Sequence, residues 1–233
     1  MNPTLDIQAL QDAGAHFGHP RARRNPSAAP FIYATKDRTD IFDLEETIRR
    51  LETAKQFVNS LAQAGRPLLF VGGKNEASSI VKDAAMKVGA PYVAGRWIGG
   101  SLTNFKNIRK RIELMEKLVA DRDSGELDKK YTKHERLQIS RKIEGLETRF
   151  GGVAQMMDLP GALFVVDSRF EDTAVKEAVQ LNIPVIGLSS SDCNFKFIAY
   201  PIPANDTSVK SISAIVHDIA DAYAEGRKAP VRV

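Results

Sequence analysis

Cysteine is all but missing. Cys193 is the only one in 233 residues, so no intrachain disulfide can form, and a reducing compartment fits. Long apolar runs are missing too; none approaches the roughly 20 residues of a membrane-spanning helix. Aromatic residues make up 7% of the chain, and tryptophan occurs once, at Trp97. There are no internal repeats and no low-complexity tracts. The N-terminus, Met1-Asn2-Pro3-Thr4-Leu5-Asp6, has neither the basic nor the apolar region of a signal peptide, and it carries an acid and no arginine, unlike a transit peptide. These absences set the expectation of a cytoplasmic chain with no membrane partner.

What is there is ordinary in bulk. Apolar residues make up 43% and charged residues 27%, as in soluble folded proteins. The net charge of +4 and pI of about 9.1 are compatible with a polyanionic partner, and equally with a basic enzyme. The length suits one large α/β domain, or one domain with a small appendage.

Apolar spacing supplies the architecture. Leu5, Ile7, Ala9, Leu10 and Ala13 predict a short helix over 4–14, with Gly14 as its stop. Residues 16–26 read as a loop in which Arg21, Arg23 and Arg24 lie between Pro20 and Pro26. Short strands over 31–34 and 40–42 flank the turn Lys36-Asp37-Arg38. Asp43 and Glu46 make a capping-box signal for a helix running to about Gly65. Leu68-Leu69-Phe70-Val71 has no polar alternation, as befits a parallel strand covered on both faces. A helix over 75–88 and a short strand over 92–94 follow.

Two glycine pairs, Gly99-Gly100 and Gly151-Gly152, then bracket an insertion. Phe105, Ile108, Ile112, Met115 and Val119 step by three and four, as do Ile139, Ile143, Leu146 and Phe150; Thr132 and Glu135 form a second capping box. Each helix carries one narrow apolar seam with charged flanks, which suits an antiparallel two-helix coiled coil better than a helix lying on a sheet. The pattern then returns to strand 163–166, helix 172–182, strand 184–188, the polar loop Ser189 to Asn194, a strand over 197–202, and a final helix capped by Asp206 and ended by Gly226. The predicted fold class is α/β, a doubly wound parallel sheet with right-handed crossovers. The globular domain spans 1–104 plus 151–227, the hairpin 105–150, and a flexible tail 228–233.

No catalytic set emerges. Gly72-Gly73-Lys74 follows a strand, but its spacing is neither of the glycine-rich phosphate motifs, and a tight turn with a surface lysine explains it. His16, His19 and Cys193, with Asp192 or Asp206, do not have the paired spacing of a zinc site. Packed histidines and a cysteine filler are preferred there, so no metal and no cofactor is expected. Ser189, Ser190 and Ser191 lack a nucleophile elbow. Asp167 and Asp192 follow strands and read as helix caps.

The arginines read differently. Guanidinium forks match phosphate oxygens, and a proline-bounded loop loses less entropy on docking. Arg96 beside Trp97 offers a cation next to an aromatic face suited to stacking, although a lone tryptophan is more often core, and core is preferred for the ring itself. The expected RNA-binding residues are Arg21, Arg23, Arg24, Arg96, Trp97, Asn104, Lys106, Arg109, Lys110 and Arg111. The alternative is a flavodoxin-like nucleotide- or small-molecule-binding enzyme, carried by Gly72-Gly73-Lys74 and Asp167. A third reading, an adaptor whose hairpin docks a protein partner, does not exclude the RNA-binding one.

Several segments together resemble the bacterial form of the small ribosomal subunit protein two family. They are Ala15-His16-Phe17-Gly18-His19, Arg96-Trp97-Ile98-Gly99-Gly100-Ser101-Leu102-Thr103-Asn104, Phe150-Gly151-Gly152, Leu159-Pro160-Gly161-Ala162-Leu163-Phe164-Val165-Val166-Asp167 and Ile202-Pro203-Ala204-Asn205-Asp206, in matching order from about residue 5 to 227. The resemblance implies a flavodoxin-like sheet with a protruding coiled-coil hairpin, hinged at the glycine pairs. It also implies binding to small-subunit ribosomal RNA and neighbouring ribosomal proteins, including an anchoring role for the large ribosomal protein one, and no enzymatic activity. Ser189-Ser190-Ser191-Asp192-Cys193-Asn194 departs from the family's more acidic stretch, and Pro20 and Ser27-Ala28-Ala29 depart from its more polar and basic residues.

Overall fold

The computed structural model describes residues 5–228. A short helix α1 (Ile7–Asp12) leads into strand β1 (Phe17–Pro20), two 3-10 turns, and the hairpin of β2 (Ile32–Lys36) and β3 (Thr39–Phe42). These strands form a small antiparallel sheet in the order β1-β3-β2. The hairpin turns through Asp37 and Arg38, both at positive φ, as a two-residue turn that matches strand twist requires. Helix α2 (Leu44–Gln63) follows, capped by Asp43, which accepts from the amides of Glu45 and Glu46. The expected capping box is half-formed there, because the Glu46 carboxylate turns instead to Arg49 and Arg50.

The main sheet is built from β4 (Leu68–Val71), β5 (Tyr92–Val93), β6 (Ala162–Val166), β7 (Val185–Ser189) and β8 (Tyr200–Pro203). All four pairings are parallel, in the order β5-β4-β6-β7-β8. Numbering only these strands, that is the 2-1-3-4-5 order of flavodoxin-like folds. Every residue of β4, β6 and β7 is buried, so both faces are covered and the strands need no polar alternation.

Period two divides the core. Leu68, Phe70, Ala162, Phe164, Ile186 and Leu188 face one cluster, with α2, α3 (Asn75–Val88) and α8 (Val209–Lys228). Leu69, Val71, Leu163, Val165 and Val185 face the other, with α4 (Phe105–Asp123), α6 (Lys133–Phe150) and α7 (Asp172–Gln180). Phe70 and Phe164 meet edge-on at 5.5 Å. A third cluster, Ala28, Phe31, Phe42, Cys193, Phe195 and Ile198, joins the small sheet to the loop after β7.

Helices α4 and α6 pack on each other and are linked by the short α5 (Glu126–Lys130). The capping box at Thr132 and Glu135 closes in both directions. Ile108, Ile112, Met115, Leu146 and Phe150, all on the expected seams, share one apolar cluster with Leu163 and Val165. The lower half of the helix pair therefore covers the sheet. Gly152 is held where a hinge was expected, since a Cβ there would lie 2.3 Å from the Tyr92 carbonyl oxygen.

Three expectations at the end of the chain change. Gly226 lies inside α8, where a Cβ would come within 2.5 Å of the Asn59 carbonyl oxygen; it permits the close crossing of α2 and α8. Asp206 does not cap α8. It is fully buried, and the hydroxyl of Ser208 accepts from the Ser211 amide at the helix start. Lys228, expected in the tail, belongs to α8, and the rest of that tail, 229–233, lies outside the described residues.

Candidate nucleic-acid interface

The arginine segment is more ordered than a loop. Residues 17–20 pair with β3, and the segment is clamped onto the loop after β7. His19 donates its amide to the Ser191 hydroxyl at 2.9 Å, Asn25 donates to the Ser191 carbonyl at 2.8 Å, and Phe195 donates to the Ser27 hydroxyl at 2.9 Å. Arg21 and Arg23 project from the 3-10 turn and are exposed.

Arg24 is different. Its guanidinium grips the fully buried Asp40 through both carboxylate oxygens, with Nε at 2.7 Å, and also donates to the Thr35 hydroxyl at 2.8 Å. The hydrogen bonds from Arg24 hold Asp40 below the usual carboxylate range against the opposing effect of burial. Bidentate pairs of this kind are geometrically demanding, and Arg24 fixes the small sheet.

The Arg96 to Asn104 segment is organised by a residue that sequence reasoning missed. Glu177, on α7, accepts five hydrogen bonds from it. Trp97 Nε1 donates at 3.1 Å and the Gly100 amide at 2.7 Å to one oxygen. The Leu102 amide at 3.0 Å and the amide and hydroxyl of Thr103, each at 3.1 Å, donate to the other. Burial alone would raise the pKa of Glu177, but the indole and the backbone donors outweigh it and lower it. The signal was a carboxylate among the inward positions Ala174, Val175 and Ala178. With its ring buried in the second cluster and its N–H occupied, Trp97 has no face for a base; that part of the expectation is corrected, and the preference for core stands.

Around this anchor Arg96, Asn104, Lys106, Lys110 and Arg111 are exposed. Arg109 is not free. It donates to the Ala154 carbonyl at 2.7 Å and pairs with Glu113 and Glu116, tying α4 to the chain beyond α6. Lys36 and Arg38, read from sequence only as turn residues, are exposed cations beside Arg21, whose amide donates to the Arg38 carbonyl at 2.8 Å.

The carboxyl ends of the main strands, where α/β sheets commonly bind ligands, hold a dense polar cluster. Lys74 is not the surface lysine of the sequence reading. Its ammonium lies 3.1 Å from Asp167 and 3.5 Å from Asp206, and donates to the Asp206 carbonyl at 3.1 Å. Desolvation would lower its pKa, but Asp206 and Asp167 prevail and raise it. Asp167 does not cap the next helix, which starts at Asp172 behind Glu171; it accepts from the amides of Arg169 and Phe170 in the turn before it, and Arg169 pairs with Asp192 at 2.6 Å. Burial, then the nearby Asp167, pushes Asp206 up to about 7 despite Lys74, and burial first pushes the Cys193 thiol up to about 12.

The cluster does bring His19, Asp192 and Asp206 together, and likewise Asp167, Cys193 and Asp206, but His16 belongs to neither group and lies tilted against Phe17. The cation already seated among these carboxylates is Lys74. Gly73, whose amide a phosphate would need, donates instead to the buried Glu171 at 2.7 Å. A phosphate at this turn would meet three carboxylates, Glu171, Asp167 and Asp206, against one ammonium.

Fold and surface together define a class: a flavodoxin-like platform whose buried polar groups brace loops and leave cations facing outward. Comparison with known proteins narrows the class. A sequence profile described as ribosomal protein S2 matches residues 10–226. The small ribosomal subunit protein uS2 of Coprothermobacter proteolyticus is 41% identical over 224 residues, covering 96% of this chain and 83% of the relative. That of Mesoplasma florum is 42% identical over 217 residues, covering 93% and 81%, and that of Roseiflexus castenholzii 43% over 223 residues, covering 96% and 84%. The chain belongs to the ribosomal protein S2 family, a family of structural, non-enzymatic ribosome components. No helix among the described residues is long and apolar enough to cross a membrane.

Proposed function

We propose that the chain is a cytoplasmic constituent of the small ribosomal subunit that binds small-subunit ribosomal RNA and neighbouring ribosomal proteins, the large ribosomal protein one among them. One observation carries the RNA part. Arg21, Arg23, Arg96, Lys106, Lys110 and Arg111 are exposed and have no ion pair among the described residues, whereas the cations facing the main sheet's polar cluster are engaged. Unpaired cations on a braced backbone neutralise phosphates and release counterions, and the shape of the braced loops sets the register. Arg24 and Arg109 serve this surface indirectly, by fixing the small sheet and the hairpin base. The outer part of the helix pair, 105–150, from Leu118 through α5 to Ile139, is the part offered to a protein neighbour.

Salt titration tests the reading. Replacing Arg21, Arg23, Lys106, Lys110 and Arg111 together by Ala is expected to weaken binding to small-subunit ribosomal RNA and to flatten the log–log salt dependence by about 0.7 for each phosphate no longer neutralised. An unchanged affinity with an unchanged slope overturns it.

A further inference from the structure

One surface group remains unexplained by packing. Tyr33 is 78% exposed, the most exposed large apolar side chain among the described residues. It stands at a β-bulge. Ile32 opposes Phe42 and Ala34 opposes Ile41, so Tyr33 is the extra residue on β2. Bulges twist a strand locally and re-aim a side chain, and β2 is an edge strand, so nothing in the sheet covers this one. An aromatic ring left in water forfeits the large burial that rings usually gain.

Toward the hairpin tip the exposed charge is mainly positive. Arg21, Arg23, Lys36 and Arg38 are exposed and have no ion pair among the described residues. The hydrogen bond from the Arg21 amide to the Arg38 carbonyl keeps two of them side by side. Of the two acids in residues 17–42, Asp40 is buried and neutralised by Arg24, which leaves Asp37 alone at the tip. Lys36 follows Tyr33 by three residues on the same strand, about 10 Å along it. A ring on a strand that leads to a group of unpaired cations has the composition of a platform for unpaired nucleotides, in which the ring takes the base and the cations follow the backbone.

We propose that Tyr33 stacks on one unpaired base of RNA, with Lys36, Arg38, Arg21 and Arg23 holding the flanking phosphates. The proposal rests on the RNA-binding reading above and adds to it a base-stacking site on the small sheet. Charge selects the occupant: an RNA strand satisfies the cations and the ring together, whereas a second copy of this edge would bring like charges together.

The test uses the full-length chain and a small-subunit ribosomal RNA probe. Tyr33→Ala is expected to weaken binding roughly 5- to 150-fold, the range for losing one base–aromatic stack, with the salt slope unchanged because no charge is removed. Tyr33→Phe, which keeps the ring face, is expected to bind as the parent does. The double change Lys36→Ala with Arg38→Ala should flatten the slope by about 1.4, at about 0.7 per phosphate. Urea unfolding confirms that each variant is folded. If Tyr33→Ala binds normally while the cation variants lose slope, stacking is overturned and the RNA reading stands. If Tyr33→Phe falls as far as Tyr33→Ala, the hydroxyl makes the interaction and stacking is again overturned. If the parent chain binds the RNA with no salt dependence, both readings fall together.

Discussion

Glu177 and Asp206 are both buried carboxylates at loop-bearing ends of the same platform, and they behave in opposite ways. Glu177 is held by five hydrogen bonds and no cation, and its pKa is lowered. Asp206 has the Lys74 ammonium beside it and the Ser190 amide at 3.2 Å, yet its pKa is pushed up to about 7. The difference lies in the neighbours. Donors converge on Glu177 with no competing acid beside it, whereas Asp206 shares its cation with Asp167 and also lies near Asp192. Preorganised dipoles stabilise a buried anion better here than one shared counter-ion does.

The largest effect is expected at Glu177. Glu177→Ala strands the indole N–H, three amides and a hydroxyl, some of them buried. An unsatisfied buried donor costs about 1–3 kcal/mol, so a loss of about 3 kcal/mol or more in urea unfolding is expected. Glu177→Gln keeps the shape but turns an NH2 toward donors, at about 2 kcal/mol. A change below about 0.5 kcal/mol for Glu177→Ala would break the comparison, because it would mean that the segment around Trp97 holds itself.

The second effect is one of pH, and its sign is opposite at the two sites. Glu177 is lowered from 4.5, so its contribution is complete above that value and is lost as pH falls through the lower folded value. Asp206 is raised from 3.8 to about 7, so the folded state holds a proton that the unfolded chain has released, and stability falls as pH rises between those values. The slope reaches about 1.36 kcal/mol per pH unit for one proton. Asp206→Asn should remove that decline, because Asn can still accept from the Ser190 amide and Lys74 keeps Asp167 and the backbone carbonyl of residue 206. Parallel stability–pH curves for parent and variant from about pH 4 to 7 would show that Asp206 does not hold the proton.

Neither carboxylate is legible as a site in the sequence, and the reasons are physical. The strands and helices are readable because their signals are local. The uninterrupted run Leu68 to Val71 forms β4, and the predicted helix over 75–88 is α3. Lys74 looks like a surface residue because its partners lie 93 and 132 residues away. Asp206 looks like a cap from its place before a helix, since sequence does not show that the chain turns it toward Lys74. β1 exists only through pairing with β3, so its residues look like loop. Glu177 leaves a trace, an acid among inward positions of a helix, but its donors come from 74 to 80 residues away. The arginines look alike in sequence, and only Asp40 separates Arg24 from Arg21 and Arg23.

The smallest effect sharpens the comparison most. Three donors share one oxygen of Glu177, the amides of Leu102 and Thr103 and the Thr103 hydroxyl. Thr103 is exposed, so water can replace what its hydroxyl provides. Thr103→Val keeps shape and branching, removes one donor, and should cost about 1 kcal/mol or less, with Thr103→Ser restoring most of it. If the donors act as separate bonds, Thr103→Val should cost the same whether residue 97 is Trp or Phe, since the two donors touch Glu177 and not each other. If they act as one network around the anion, the loss should change once the indole N–H is gone, and the double-mutant cycle of the two donors reads that coupling directly. A coupling near zero would reduce Glu177 to a sum of ordinary hydrogen bonds, and the contrast with Asp206 would then rest on charge crowding alone.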